Sequence, residues 1–169
     1  GEREMLERVL RVLEGAIEAV GQVVAWFVVG LTIALTYEAL ARLLFVAPTV
    51  WAYDVTYMLY GAHFMLGAAY TLRRGGHVRT DFLYERLPEV WQRRVDTICY
   101  LLFYFGPVLA LLWFGSGFAL EAWRRAERAI TSPWMPVIYP FKTVIPVAAI
   151  LLLVQGLVEF VRNLGLAGR

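Results

Sequence analysis

The stretch Thr97–Leu120, TICYLLFYFGPVLALLWFGSGFAL, decides how this chain folds. It contains no Asp, Glu, Lys, Arg or His. A helix at the surface of a soluble protein keeps one polar face, and this segment has no residues to make one. About 20 mostly apolar residues are enough to carry a helix across roughly 30 Å of hydrocarbon. The spacing therefore predicts a helix whose solvent is lipid.

Three further segments share this character. Ala19–Tyr37 and Thr143–Val158 are uncharged, and Val55–Leu72 carries only His63. Of the 169 residues 60% are hydrophobic and 18% charged, with mean hydropathy +0.59. Soluble domains average about 25% charged residues. The charges here fall in clusters between the apolar runs, and little chain is left for a soluble domain. The sequence predicts an all-α integral membrane protein of four transmembrane helices. They cover roughly 19–45, 53–72, 95–125 and 141–164 within one domain, 1–169.

Punctuation between the runs agrees. Pro48 closes the first helix, Arg73-Arg74-Gly75-Gly76 closes the second, and Pro133, Pro136 and Pro140 fill the connector before the fourth. Gly106-Pro107 is the expected kink in the third. Between Arg3 and Glu14, apolar Met5, Leu6, Val9, Leu10 and Leu13 alternate with charges at helical spacing. Two readings stay open for this segment: an amphipathic helix lying in the interface, or a straight extension of the first span. Phe82, Leu83, Leu87 and Val90 form a smaller interfacial set. The acidic residues mixed into the N-terminus do not read as a signal peptide.

Lys and Arg set the orientation. Four spans place the N-terminal arm, the loop after the second helix and the C-terminal tail on one side. That side holds eleven Lys and Arg against five on the other. Both termini of the multi-pass chain are thus expected in the cytoplasm.

The ionisable residues near the membrane are few. Glu38 and Arg42 stand i, i+4 and are expected to pair or to contact a partner. Asp54 opens the second helix, where the helix dipole suits an acid. Glu159 is expected to pair with Arg162, three residues on. Asp54, Lys142 and Gln155 are candidates for facing a partner. Gln155 belongs to a mildly polar stripe with Ala148, Leu152 and Glu159. Gly106, Ala110 and Gly117 line one face of the third helix, and small residues let helices approach closely. The six Trp mostly fall near helix ends, as in an aromatic belt. The lone Cys99 permits no disulfide within the chain and is expected to be a buried thiol.

Several classes of chemistry lack their residues. The sequence has no GxxxxGK[ST] loop for a nucleotide, no cluster with metal-ligand spacing and no nucleophile with a base partner. His63 and His77 stand about 21 Å apart along a helix, a poor haem pair. A net charge of +2 does not point to nucleic acid. No enzyme activity and no cofactor are expected.

The segment Tyr70–Pro88, YTLRRGGHVRTDFLYERLP, resembles the loop of the small membrane subunit (the Q subunit, DctQ-like) of tripartite ATP-independent periplasmic (TRAP) transporters. That family typically shows Gly-His-Val-Arg-x-Asp at the end of its second span, matched here by Gly76, His77, Val78, Arg79 and Asp81. Ser132–Pro136, with Pro140, Lys142, Pro146 and Gln155, looks like the subgroup labelled for mannitol or chloroaromatic compounds. The resemblance implies a large membrane subunit that carries the substrate and sodium sites, and a periplasmic substrate-binding protein. It implies a non-catalytic scaffold for uptake of an organic acid or similar solute. Gly76, His77, Arg79 and Asp81 become structural loop or subunit-contact residues. Two other classes compete: the membrane anchor of a respiratory or redox enzyme, and a small self-assembling exporter with Glu38 as proton site. The substrate, the helix faces that meet a partner and the oligomeric state are not legible in this chain.

Overall fold

The computed structural model describes residues 2–75 and 88–164. In chain order its helices are α1 (Glu2–Ala25), α2 (Phe27–Phe45), α3 (Ala52–Arg73), α4 (Glu89–Cys99), a π-helical turn (Tyr100–Tyr104), α5 (Phe105–Arg124), α6 (Tyr139–Lys142) and α7 (Val144–Asn163). Among the described residues three stretches are long and apolar enough to cross a membrane: Arg3–Phe45, Val90–Arg124 and Tyr139–Arg162. Helix α3 stands where the second span was expected. Its 22 residues span about 33 Å at 1.5 Å each. Four tyrosines, Asp54 and His63 make it less apolar than the other three.

The first helix is longer than the sequence suggested. It begins at Glu2, not near residue 19, and α1 runs into α2 through a single turn at Trp26. The amides of Val29 and Gly30 bond back to the Trp26 carbonyl across that turn, so the two helices continue one another. Of the two readings for Arg3–Glu14, the structure takes the extension. Its apolar stripe carries on as Leu10, Ile17 and Val24, all buried, with Glu14 in the same row. Nothing between Glu4 and Ala25 breaks the hydrogen-bond ladder.

Helices α3 and α7 form the middle of the bundle. Helix α2 packs on α3, α3 on α7, α7 on α5, and α1 crosses α3 and α7. The contact lines run through alanines: Ala62 and Ala69 of α3, Ala119 and Ala122 of α5, and Ala148 and Ala149 of α7 are all buried. Such small side chains let backbones come close, which is how helices gain packing energy without a hydrophobic drive in lipid.

Two of the glycines act as sockets for tyrosines. A methyl at Gly21 would lie 2.3 Å from Tyr70 Cδ2, and one at Gly156 would lie 2.2 Å from Tyr104 Cε1. Tyr70 thus locks α3 onto α1, and Tyr104 locks the π-helical turn onto α7.

That turn replaces the kink expected at Gly106-Pro107. Pro107 has no amide to offer the carbonyl of Phe103, and its ring crowds that carbonyl. The strain is taken up just upstream, where Tyr100–Tyr104 widens to π geometry. The widened turn aims Tyr104 at α7, and its hydroxyl donates to the Leu152 carbonyl at 2.7 Å.

Candidate functional site: two polar ends and an apolar flank

The polar side chains gather at the two ends of the bundle. At one end three chain-distant segments are tied together. Arg162, in the last turn of α7, donates to Glu14 of α1 at 2.8 Å. Glu18, one turn further along α1, receives Arg74 at 2.7 Å and also pairs with Arg73 at the end of α3. Glu14 is 8% exposed, so its carboxylate has lost most of its water and depends on the arginine. Beside this cluster Gln155 is fully buried. Its amide donates to Glu159 at 3.2 Å, while its Oε1 has no partner among the described residues. The local Glu159–Arg162 pair expected from sequence is therefore replaced. Arg162 reaches across to Glu14, and Glu159 serves Gln155.

The opposite end is held by carboxylates that grip loops. Glu38 and Arg42 do pair, at 2.6 Å. Glu38 also accepts the Thr49 amide at 3.0 Å and the Thr49 hydroxyl. Thr49 in turn accepts the amide of Ala52, the first residue of α3, and so satisfies one of the helix's free donors. One carboxylate thus fixes the α2–α3 connection, after Val46 has ended α2 in the left-handed region at φ 51°. Stacking of Tyr37 on Trp51, centroids 5.7 Å apart, closes the same corner.

Asp54 does more than suit a helix dipole. It is 2% exposed and accepts hydrogen bonds from Thr131 at 3.3 Å and from Ser132. These residues sit in the excursion 125–138. There Ala129 and Pro136 pair through the backbone at 2.9 Å, and Ile138 donates to the Glu127 carbonyl. Lys142 bonds Glu127 at 2.6 Å and lies 4.0 Å over the Phe118 ring. The Trp123 indole donates to Thr143 at 2.7 Å, which ties α5 to the α6–α7 junction. The excursion is a clamped hairpin, braced from α3, α5 and α6.

Asp54, Lys142 and Gln155, the candidates for facing a partner, each make their described contacts within this chain. Asp54 and Gln155 are buried inside the chain, and Lys142 is mostly covered, because each fills a polar demand of its own bundle. Cys99, expected to be a buried thiol, is exposed at the end of α4. His63 holds the carbonyl of Val24 through Nδ1 at 3.0 Å. Gly76, His77, Arg79 and Asp81 lie outside the described residues. The pairs Glu14–Arg162 and Glu18–Arg74 were missed from sequence, as were Asp54–Ser132 and Tyr104–Leu152. Their partners are far apart in the chain, and only i, i+3 and i, i+4 neighbours can be read without the topology.

Between the polar ends the flank is apolar. Helix α5 turns Leu109, Trp113, Phe114 and Leu120 outward around Ala110 and Gly117. Among the described residues no group of three or more His, Cys, Asp or Glu is placed to hold a metal. The charged groups named above are engaged in ion pairs or hydrogen bonds within the chain, and their arrangement builds a frame.

No curated protein matches the chain. The family described as tripartite ATP-independent periplasmic transporters, DctQ component, matches residues 31–166. That stretch takes in most of α2 and everything from α3 through α7. The family is a component of a transporter, not a group of enzymes, and its helices suit an inner-membrane, multi-pass protein. The chain belongs to this DctQ family, the small subunit of TRAP transporters.

Proposed function

We propose that this chain is a static scaffold within its transporter. In this reading α3 crosses the bilayer with the three more apolar stretches, giving four spans. Both termini lie in the cytoplasm, as the Lys and Arg bias suggests. The chain braces the large membrane subunit, which moves substrate, and helps receive the periplasmic binding protein. The transported solute is an organic acid or similar small molecule, with sodium as coupling ion, and both are bound elsewhere in the complex. Within the family the chain is assigned to the mannitol or chloroaromatic subgroup, on the resemblance carried by Ser132–Pro136.

The observation that supports this reading is the division of the surface. Carboxylates and cations close the ends through internal pairs, while α5 offers a broad apolar flank. A carrier needs a polar group free to bind its cargo, and Glu38, Asp54, Glu14 and Glu18 are all engaged within the chain. The segment with Gly76, His77, Arg79 and Asp81 is assigned a loop-fixing or subunit-contact role. Replacing Arg79 or Asp81 by Ala is expected to lower recovery of the large subunit with this chain.

Reconstitution tests the whole. The large subunit and binding protein should take up solute down a sodium gradient only when this chain is present. Uptake by this chain alone, or full uptake in its absence, would overturn the proposal.

A further inference from the structure

Between α1 and α3 lies a lateral cleft of about 370 Å³. Its walls are Gly21, Val24 and Ala25 on one side and Phe64, Gly67 and Ala68 on the other, with Tyr70 and Thr71 toward the end of α3. The lining is mostly apolar, and two of its polar groups are already taken. His63 Nδ1 contacts the Val24 carbonyl, and the Thr71 hydroxyl donates to Gly67 at 3.0 Å. The interior therefore offers little to a polar solute and suits a hydrocarbon chain.

The mouth has a different character. Arg74 follows Tyr70 by one turn, and its guanidinium lies 5.3 Å from the centroid of the Tyr70 ring that walls the cleft. Among the described residues Arg73 and Arg74 share one carboxylate, Glu18, so there two cations face one anion. The Arg74 side chain is 61% exposed. Apolar walls ending at an exposed cation, at the end of a membrane helix, match an amphiphile with a negative head.

We propose that the cleft between α1 and α3 binds an anionic phospholipid, one acyl chain lying against Gly21, Val24 and Gly67 and the phosphate at Arg74. The site rests only on the membrane location of the chain and is independent of its role in transport. A bound lipid would fill the space between α1 and α3 above the Gly21–Tyr70 contact.

Native mass spectrometry of the detergent-purified full chain tests this, with phosphatidylglycerol and phosphatidylcholine of identical acyl chains as probes. The anionic lipid is expected to bind about fivefold more tightly, the contribution of one arginine near a lipid surface. Arg74→Gln should remove that preference. Gly67→Leu should weaken phosphatidylglycerol while leaving every ion pair intact, because a Cβ at Gly67 meets nothing within 4 Å and points the new side chain into the cleft that Gly67 lines. Soluble glycerol 3-phosphate should not compete. Equal binding of the two lipids by the parent chain, an unchanged Gly67→Leu variant, or competition by glycerol 3-phosphate would each overturn the proposal.

Discussion

Tyr104 seats its ring in the space left by Gly156, and no other residue type at position 156 leaves room for it. A methyl there would stand 2.2 Å from the tyrosine Cε1. The hydroxyl beyond that ring bonds the Leu152 carbonyl at 2.7 Å. One contact therefore carries both the shape and the polarity of the α7 interface with the third long helix. Gly156→Ala is expected to destabilise the protein by about 1–3 kcal/mol, the usual cost of overpacking. Tyr104→Phe keeps the ring and should cost only about 1 kcal/mol for the lost hydrogen bond. Thermal unfolding in detergent measures both; equal melting temperatures for Gly156→Ala and the parent would refute the socket.

Glu14 and Arg162 are 148 positions apart in the chain and bond directly. Each single replacement by Ala strands a charged partner in a poorly hydrated place. A loss of about 1–3 kcal/mol is expected for each. A double-mutant cycle should return a coupling of at least about 0.5 kcal/mol. Additive single losses would mean the pair contributes nothing as a pair.

Asp54 is expected to hold the 125–138 hairpin in place through Thr131 and Ser132. Asp54→Ala leaves two hydroxyls without their acceptor and should loosen the hairpin while α3 stays helical. Limited proteolysis should then cut faster between Glu127 and Val137, with the circular dichroism spectrum retained. An unchanged cleavage rate would show that the backbone pairs from Ala129 to Pro136 suffice alone.

Cys99 is the single cysteine, so Cys99→Ser gives a background in which one introduced thiol reports topology. With cytoplasmic termini, Glu7 near the start of α1 lies in the cytoplasm, and it is exposed. A membrane-impermeant maleimide should label Glu7→Cys in inverted vesicles and spare it in intact spheroplasts. The opposite pattern would reverse the proposed orientation.

Much of the architecture was legible before any coordinates. Uncharged runs such as Thr97–Leu120 located the helices because hydrocarbon tolerates few charges and demands that backbone groups bond within one segment. The Glu38–Arg42 pair was legible for the same local reason, since i, i+4 residues are neighbours on any helix. The start of the first helix was misplaced because an amphipathic segment has the same periodicity whether it lies in the interface or continues a span. A break in regular helix was anticipated at Gly106-Pro107 but is found as a π-helical turn at Tyr100–Tyr104, because where a helix absorbs a missing amide depends on what packs against it.

The sequence by itself determined that this chain is helical and made for lipid, and its loop and span pattern marked the family. Those properties follow from residue type and near-neighbour spacing. Only the tertiary structure decided that Arg162 reaches Glu14, that Asp54 grips Ser132, and that Gln155 turns inward. Such pairings depend on which helices lie side by side, and helix order along the chain does not fix helix order in space. The same packing left α1 and α3 apart over the cleft that ends at Arg74.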